Sequence, residues 1–224
     1  MKEIFRDNSW YFVGFGFVLI FAMGIWTQVE QLDPLYFFSE RRSGWLNHLF
    51  IYATMLGEPL SFVLAFIVFL FIKYRYALLV GVAGTFTLFI SWGLKVLFQS
   101  ARPGLVIRDS GIMDQFVFIE GVEMNVGFTS FPSGHTFAAF TIFTLIALLS
   151  THKNWWAICC LVLATAVAIS RMYLLHHFLA DVIAGAVIGT SIAVILYWLQ
   201  EYVILRRHPK LEKKLHLRFM RKVE

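Results

Sequence analysis

The stretch Ser170-Arg171-Met172-Tyr173-Leu174-Leu175-His176-His177-Phe178-Leu179-Ala180-Asp181 lies between two runs of sequence that are apolar enough to span a bilayer. Ionisable side chains at membrane depth are costly, so those in this stretch are candidates for function. His177 and Asp181 are four residues apart and share a face if the segment is helical. A carboxylate bonded to one ring nitrogen fixes the tautomer and directs the other nitrogen outward. We therefore expect His177 to be the reactive group rather than His176, which would face Ala180.

The composition indicates an integral membrane protein. Of the 224 residues, 59% are hydrophobic and 15% are charged. A soluble domain of this size could not bury so much apolar surface, and apolar runs of eighteen or more residues recur along the chain. We expect one all-α domain over residues 1–224. The net charge of +5 does not indicate a nucleic-acid partner, because the basic residues flank the apolar runs.

The apolar runs predict six transmembrane helices. Their approximate ranges are 10–29, 54–72, 77–98, 135–149, 155–173 and 178–203. Residues 31–53 mix aromatic and charged side chains, which favours a helix lying at the membrane interface. Residues 99–132 form a long polar loop with several phenylalanines, and we expect this loop to be an ordered cap on the membrane surface.

Basic residues orient this arrangement. With six spans, the positive charges at the N-terminus, after the second span, before the fifth span and in a basic tail over about residues 205–224 share one side. The positive-inside rule makes that side cytoplasmic, so we expect both termini in the cytoplasm and the long loop outside. The short chain favours a bacterial protein, which would place it in the cytoplasmic (inner) membrane.

Three separated groups of polar residues then fall at the same outer edge of the membrane. They are Lys95-x6-Arg102-Pro103, Pro132-Ser133-Gly134-His135 and Ser170-Arg171-x5-His177-x3-Asp181. They supply three cations, two histidines and a carboxylate beside a glycine at a helix N-terminus, where backbone N–H groups attract anions. Arginine binds phosphate oxygens through paired hydrogen bonds, and lysine acts as a point charge. The pattern predicts a phosphate site.

The same residue types predict phosphoryl transfer in two steps. His177, oriented by Asp181, would attack phosphorus and form a phosphohistidine. His135 would protonate the leaving oxygen and then activate water for hydrolysis. Charge stabilisation would come from Lys95, Arg102, Arg171 and the Ser133–Gly134 backbone. No metal or other cofactor is expected, because these cations would neutralise the phosphate.

The three groups resemble the type-2 phosphatidic acid phosphatase family. Its pattern is K-x6-R-P, P-S-G-H and S-R-x5-H-x3-D, and every defined position is matched in order. The resemblance implies a metal-independent lipid phosphatase of six helices. Its implied substrates are phosphatidylglycerophosphate, phosphatidate, undecaprenyl diphosphate or lipid A phosphates. It implies the roles given above for eight residues: Lys95, Arg102, Ser133, Gly134, His135, Arg171, His177 and Asp181.

Several alternatives stay open. A phosphotransferase that passes the phosphoryl group to a lipid acceptor would use the same site. A phosphate or lipid transporter is disfavoured because the polar groups cluster at one interface. A zinc site on His135, His177 and Asp181 is disfavoured by repulsion from three cations. Soluble vanadate-dependent haloperoxidases share similar anion-site motifs, but the six predicted spans disfavour one, since the substrate would more naturally arrive from the lipid. No feature predicts an oligomeric state, and no role is predicted for Glu58, Arg108, Glu120 or Glu123.

Overall fold

The computed structural model describes residues 1–204 together with Lys213 and Leu215. The predicted basic tail therefore lies outside the described residues, apart from those two. Regular structure in the described part is helical throughout. The helices are α1 (Lys2–Asp7), α2 (Ser9–Trp26), α3 (Asp33–Glu40), α4 (Gly44–Met55), α5 (Pro59–Leu70), α6 (Tyr74–Phe98), α7 (Pro103–Asp109), α8 (Gly134–Leu149), α9 (Lys153–Tyr173) and α10 (Leu179–Leu199). A 3-10 turn at Met113–Gln115 lies between α7 and α8, and a π-helical turn at Gln200–Ile204 follows α10.

Four helical segments among the described residues are long and apolar enough to cross a membrane. They are Ser9–Trp26, Tyr74–Asp109, Lys153–Tyr173 and Leu179–Val203. Helices α4 and α5 pass the same test as a pair, although they are bent by 60°. Helix α8 is apolar but has 16 residues, which gives a length of about 24 Å. An all-helical membrane protein is confirmed, while the count of six spans stays a prediction.

The second predicted span, residues 54–72, differs from the structure. Its start falls in the last turn of α4, and the chain is broken before α5 begins at Pro59. Proline disfavours a helical conformation in the residue before it, and Glu58 is accordingly extended. Gly57 packs closely against the first turn of α8, where a Cβ on residue 57 would lie 2.6 Å from the His135 main-chain oxygen. The interfacial helix expected within residues 31–53 corresponds to α3, and α4 begins in the same region.

Helix α8 is the centre of the bundle. Twelve of its sixteen residues are buried, and α9 and α10 pack against it. Small residues of α10 let the two backbones approach closely. A Cβ at Gly189 would lie 2.5 Å from the Phe137 main-chain oxygen, and one at Gly185 would lie 2.8 Å from the Ser133 main-chain oxygen.

The start of the chain meets the residues that follow α10. The Tyr202 hydroxyl donates to the Glu3 carboxylate at 2.9 Å, and Ile4 packs with Leu148 and Val194. Leu148 lies near the C-terminal end of α8. Both ends of the described continuous chain, residues 1–204, therefore lie at the end of the bundle opposite the first turn of α8.

The contact between α8 and α10 can be tested with one added methyl group. Gly189→Ala should lower the free energy of unfolding by about 1–3 kcal/mol, because the new Cβ would force the α8 backbone to move. Gly16→Ala in α2 is the matched control, since nothing lies within 4 Å of a Cβ there. Thermal unfolding in detergent measures both. Equal midpoints for the two variants would contradict the packing described.

Candidate active site

The helix ends that carry the three predicted motifs meet at one end of the bundle. Lys95 lies in the last turn of α6, and its Nζ is 3.3 Å from the position of a Cβ built on Gly134 at the start of α8. The Ser133 N–H donates to the Asp181 main-chain oxygen at 3.0 Å, which joins α8 to α10. Arg102 reaches the same place and donates to the His176 main-chain oxygen at 3.4 Å.

The His177–Asp181 pair forms, but not along one helical face. His177 precedes α10, whereas Asp181 lies in its first turn and reaches back. Asp181 Oδ2 is 3.4 Å from His177 Nδ1, longer than a typical N–H···O bond, and such contacts are often loose in unliganded enzymes. The same oxygen accepts from the Ser130 hydroxyl at 2.5 Å and from the Phe178 N–H at 2.9 Å. Nε2 is therefore the His177 nitrogen left for chemistry.

Burial keeps His177 neutral. The side chain is 1% exposed, and desolvation lowers the pKa of His177 below its ordinary value, although the hydrogen bond to Asp181 opposes this shift. The charge of Arg171 lowers the pKa further. A neutral imidazole keeps a free lone pair, which a nucleophile requires.

Two buried arginines flank this histidine. Arg102 donates to the Thr129 hydroxyl at 3.1 Å and to the Thr129 main-chain oxygen at 3.2 Å. Arg171 Nη1 donates to the Thr54 hydroxyl at 2.5 Å, and its Nη2 lies 2.6 Å from His176 Nδ1. Arg171 Nε is buried without a hydrogen-bond partner in the described part of the chain.

Neither arginine forms an ion pair with a carboxylate among residues 1–204, Lys213 and Leu215. Arg102 is 7% exposed and Arg171 is 5% exposed. Asp181 attracts Arg102 and Glu58 attracts Arg171 from beyond ion-pair distance, but burying a charge without a direct partner of opposite charge is costly. The two guanidinium groups therefore create a site that is electrostatically incomplete without an anion.

At the start of α8, one of the backbone N–H groups that the sequence predicts for phosphate binding is already used within the protein. The Ser133 N–H is already used by the Asp181 main-chain oxygen, and the Ser133 hydroxyl accepts from the Thr136 hydroxyl at 3.0 Å. Backbone N–H groups in the first turn of a helix have no partner within that helix, which leaves those of Gly134 and His135 for an anion.

His135 lies among the other predicted groups. Its ring lies close enough to Arg171 and Lys95 to experience the positive charge of both. Among the described residues, no three His, Cys, Asp or Glu side chains are grouped so that they could hold a metal ion.

Sequence reasoning missed the residues that hold the predicted ones in place. Thr129 and Ser130 end the long loop and could have been suspected, since they directly precede the Phe131-Pro132-Ser133 entry to α8. Thr54 is 117 residues from Arg171 and gives no signal in sequence spacing. Ser170, the first residue of the third motif, donates to the Val167 main-chain oxygen of its own helix at 2.6 Å.

An apolar cavity of about 430 Å³ adjoins the site between α5, α6 and α8. Lys95, Gly134 and His135 line its polar end, and Phe62 and Leu88 are among the apolar residues that line the rest. A second apolar cavity of about 660 Å³ lies among α2, α3, α9 and α10. None of the eight predicted residues lines this second cavity.

Residues 75–205 match the sequence profile of the PAP2 superfamily. This chain belongs to the PAP2 superfamily. The matched range covers more than half of the 224 residues and contains all eight predicted site residues. The family predicted from the three motifs is confirmed.

The PAP2 chain is similar to curated proteins over part of their length. It is 44% identical over 70 residues to the bacitracin transport permease protein BcrC of Bacillus licheniformis. The aligned segment covers 31% of this chain and 32% of the relative. It is 31% identical over 114 residues to the putative undecaprenyl-diphosphatase YbjG of Escherichia coli K12, which covers 49% of this chain and 50% of the relative. The chain thus spans half or less of each of these two curated relatives.

The PAP2 fold is also found in a solved structure. The first transmembrane PAP2-type phosphatidylglycerolphosphate phosphatase from Bacillus subtilis superposes with a TM-score of 0.61 at 26% identity, covering 89% of this chain and 98% of that one.

The bond from Ser130 to Asp181 is directly testable. Ser130→Ala removes a hydroxyl that donates to a buried carboxylate, so it should lower the free energy of unfolding by about 1.5–3 kcal/mol. Ser110→Ala, at an exposed position after α7, is the control and should leave stability unchanged. Thermal unfolding of both variants measures the difference. A Ser130→Ala midpoint equal to that of Ser110→Ala would contradict this bond.

Proposed function

We propose that this protein is an integral membrane phosphatase that hydrolyses a phosphate or diphosphate ester of a membrane lipid. The observation that supports it most is the pairing of two buried arginines without carboxylate partners with a neutral histidine oriented by Asp181. The cations attract a phosphate, and the histidine supplies a nucleophile beside it. The names of the relatives, which include a diphosphatase and a phosphatidylglycerolphosphate phosphatase, agree with this chemistry.

The proposed reaction has two displacements at phosphorus. His177 Nε2 attacks, the bond from phosphorus to the lipid oxygen breaks, and His135, which takes part in its protonated form while the anionic substrate is bound, gives that oxygen its proton. A water molecule then attacks the phosphorus of the phosphohistidine while His135 takes a proton from that water. The P–N bond breaks, and inorganic phosphate leaves. Lys95, Arg102 and Arg171, with the first turn of α8, stabilise the charge on the phosphoryl oxygens in both steps.

A lipid substrate follows from the cavity beside the site. Its apolar walls suit a hydrocarbon chain, and its polar end carries Lys95 and His135. A phosphate at that end would place the attached chain between α5 and α6. Phosphatidylglycerophosphate and undecaprenyl diphosphate are among the candidates that the relatives' names favour.

The proposed location is the bacterial cytoplasmic membrane, with both termini in the cytoplasm and the site at the outer surface. The positive-inside rule orients the chain this way. In support, the N-terminus and the end of α10 meet at the end of the bundle opposite the site.

The first experiment is release of inorganic phosphate by the purified protein in detergent with a chelator present. The candidate lipids are offered side by side, and we expect release from at least one of them. His177→Ala should abolish it because no other ring nitrogen occupies that position. His48→Ala, at an exposed histidine of α4, is the matched control and should keep full turnover.

Undiminished release by the His177→Ala protein would contradict the mechanism. No release from any lipid by folded protein would contradict the hydrolase. Transfer of phosphate to an added lipid acceptor would then support the phosphotransferase. The transporter alternative agrees with the name of BcrC, a transport permease protein. A transporter needs two compartments and would release no phosphate in detergent.

A further inference from the structure

We propose that His176 is a positioning residue whose Nδ1 holds the Arg171 guanidinium in the orientation that binds phosphate. This inference rests on the proposed function, and no motif position of the sequence analysis includes His176. It concerns a residue that acts through another one, so His176 need not touch the substrate.

The contacts of Arg171 carry this proposal. Its two terminal nitrogens are held from different directions, Nη1 by the Thr54 hydroxyl and Nη2 by His176 Nδ1. Because a guanidinium is planar, these two contacts fix its plane. The buried Nε has no partner in the described part of the chain. Among the described residues, removing the His176 contact leaves Thr54 as the remaining hydrogen-bond partner of the Arg171 side chain, so the guanidinium plane can turn.

The direction of the His176 hydrogen bonds is set by its partners. Arginine only donates, so His176 Nδ1 must be the acceptor and its proton must be on Nε2. Nε2 then donates to the Glu123 main-chain oxygen at 3.2 Å. Burial and, to a smaller extent, the charge of Arg171 lower the pKa of His176 to about 4, so this neutral tautomer is the form present at neutral pH. Both ring nitrogens are occupied, which distinguishes His176 from His177.

The two ring nitrogens connect different parts of the protein. Nδ1 acts on the phosphate site through Arg171, whereas Nε2 holds the long loop through Glu123. A purely structural role would depend mainly on the bond to the loop. A positioning role depends on the bond to Arg171. Substitutions that keep one bond and remove the other separate these two roles.

Asparagine and glutamine make this separation. The side-chain oxygen of asparagine takes the place of Nδ1, so His176→Asn keeps an acceptor for Arg171 and loses the donor to Glu123. The longer glutamine places its amide near Nε2, so His176→Gln keeps the bond to the loop and loses the acceptor. His176→Leu removes both bonds at similar volume.

The measurements are turnover on the lipid that the parent protein hydrolyses and the dissociation constant of orthovanadate, a phosphate analogue. We expect His176→Leu and His176→Gln to lower kcat/KM by about 100-fold, the scale of a misplaced catalytic group, and to weaken orthovanadate binding. His176→Asn should recover at least tenfold of the lost kcat/KM. Thermal unfolding identifies any variant that is not folded.

Recovery by His176→Gln rather than His176→Asn would overturn the proposal, as would turnover within twofold of the parent for His176→Leu. The orthovanadate measurement does not require turnover. If the parent protein releases no phosphate but binds orthovanadate, the proposed function fails while the ranking of the variants still decides the role of His176. A folded parent that binds no orthovanadate would overturn both.

Discussion

The Asp181 carboxylate is the group on which the rest of the site depends. Its Oδ2 accepts from the Ser130 hydroxyl and the Phe178 N–H and lies beside His177 Nδ1, while its main-chain oxygen accepts from the Ser133 N–H. A buried carboxylate is stable only when its oxygens are satisfied in this way. The end of the long loop, the start of α8 and the start of α10 are therefore joined by the residue that orients the proposed nucleophile. A change that loosens this assembly also loosens the histidine.

The site keeps its positive charge because the groups that hydrogen-bond to its two arginines are neutral. Arg102 and Arg171 are held by threonine hydroxyls, main-chain oxygens and a neutral histidine, and neither forms an ion pair with an acid in the described part of the chain. A carboxylate partner would stabilise each arginine but would also cancel the charge that attracts phosphate. The protein thus accepts unpaired buried cations at this end of the bundle. Stability is given up where an anion is to bind, which is common at functional sites.

Much of the fold and the core of the site could be predicted from the sequence. Apolar runs identify the membrane helices, and the motif spacing brings together residues as distant as Lys95 and Asp181 because helix ends alternate between two sides of a bilayer. The break at Gly57–Pro59 could not be found this way, since hydropathy averaged over a window does not detect a bend. Pro59 marks where a new helix can start, but the packing of Gly57 against His135 is visible only in the folded chain.

The supporting residues escaped prediction for a related reason. His176 was set aside because a continuous helix would turn it toward Ala180, but residues 174–178 lie between α9 and α10, and Leu175 has a φ of 58°. The chain reverses there, and His176 turns toward Arg171 instead. Hydroxyl contacts such as that of Thr54 depend on tertiary structure alone and follow no sequence period.

In the proposed mechanism, the phosphoryl group passes through a covalent bond to His177. The most direct measurement is to mix the protein with a lipid labelled in its phosphate, quench within milliseconds in alkali and locate the label by mass spectrometry. A phosphoryl group on His177, stable to alkali and lost in acid, is the predicted result, and the label should be absent from His177→Ala. Steady release of phosphate with no label on the protein, or with the label on another residue, would contradict it.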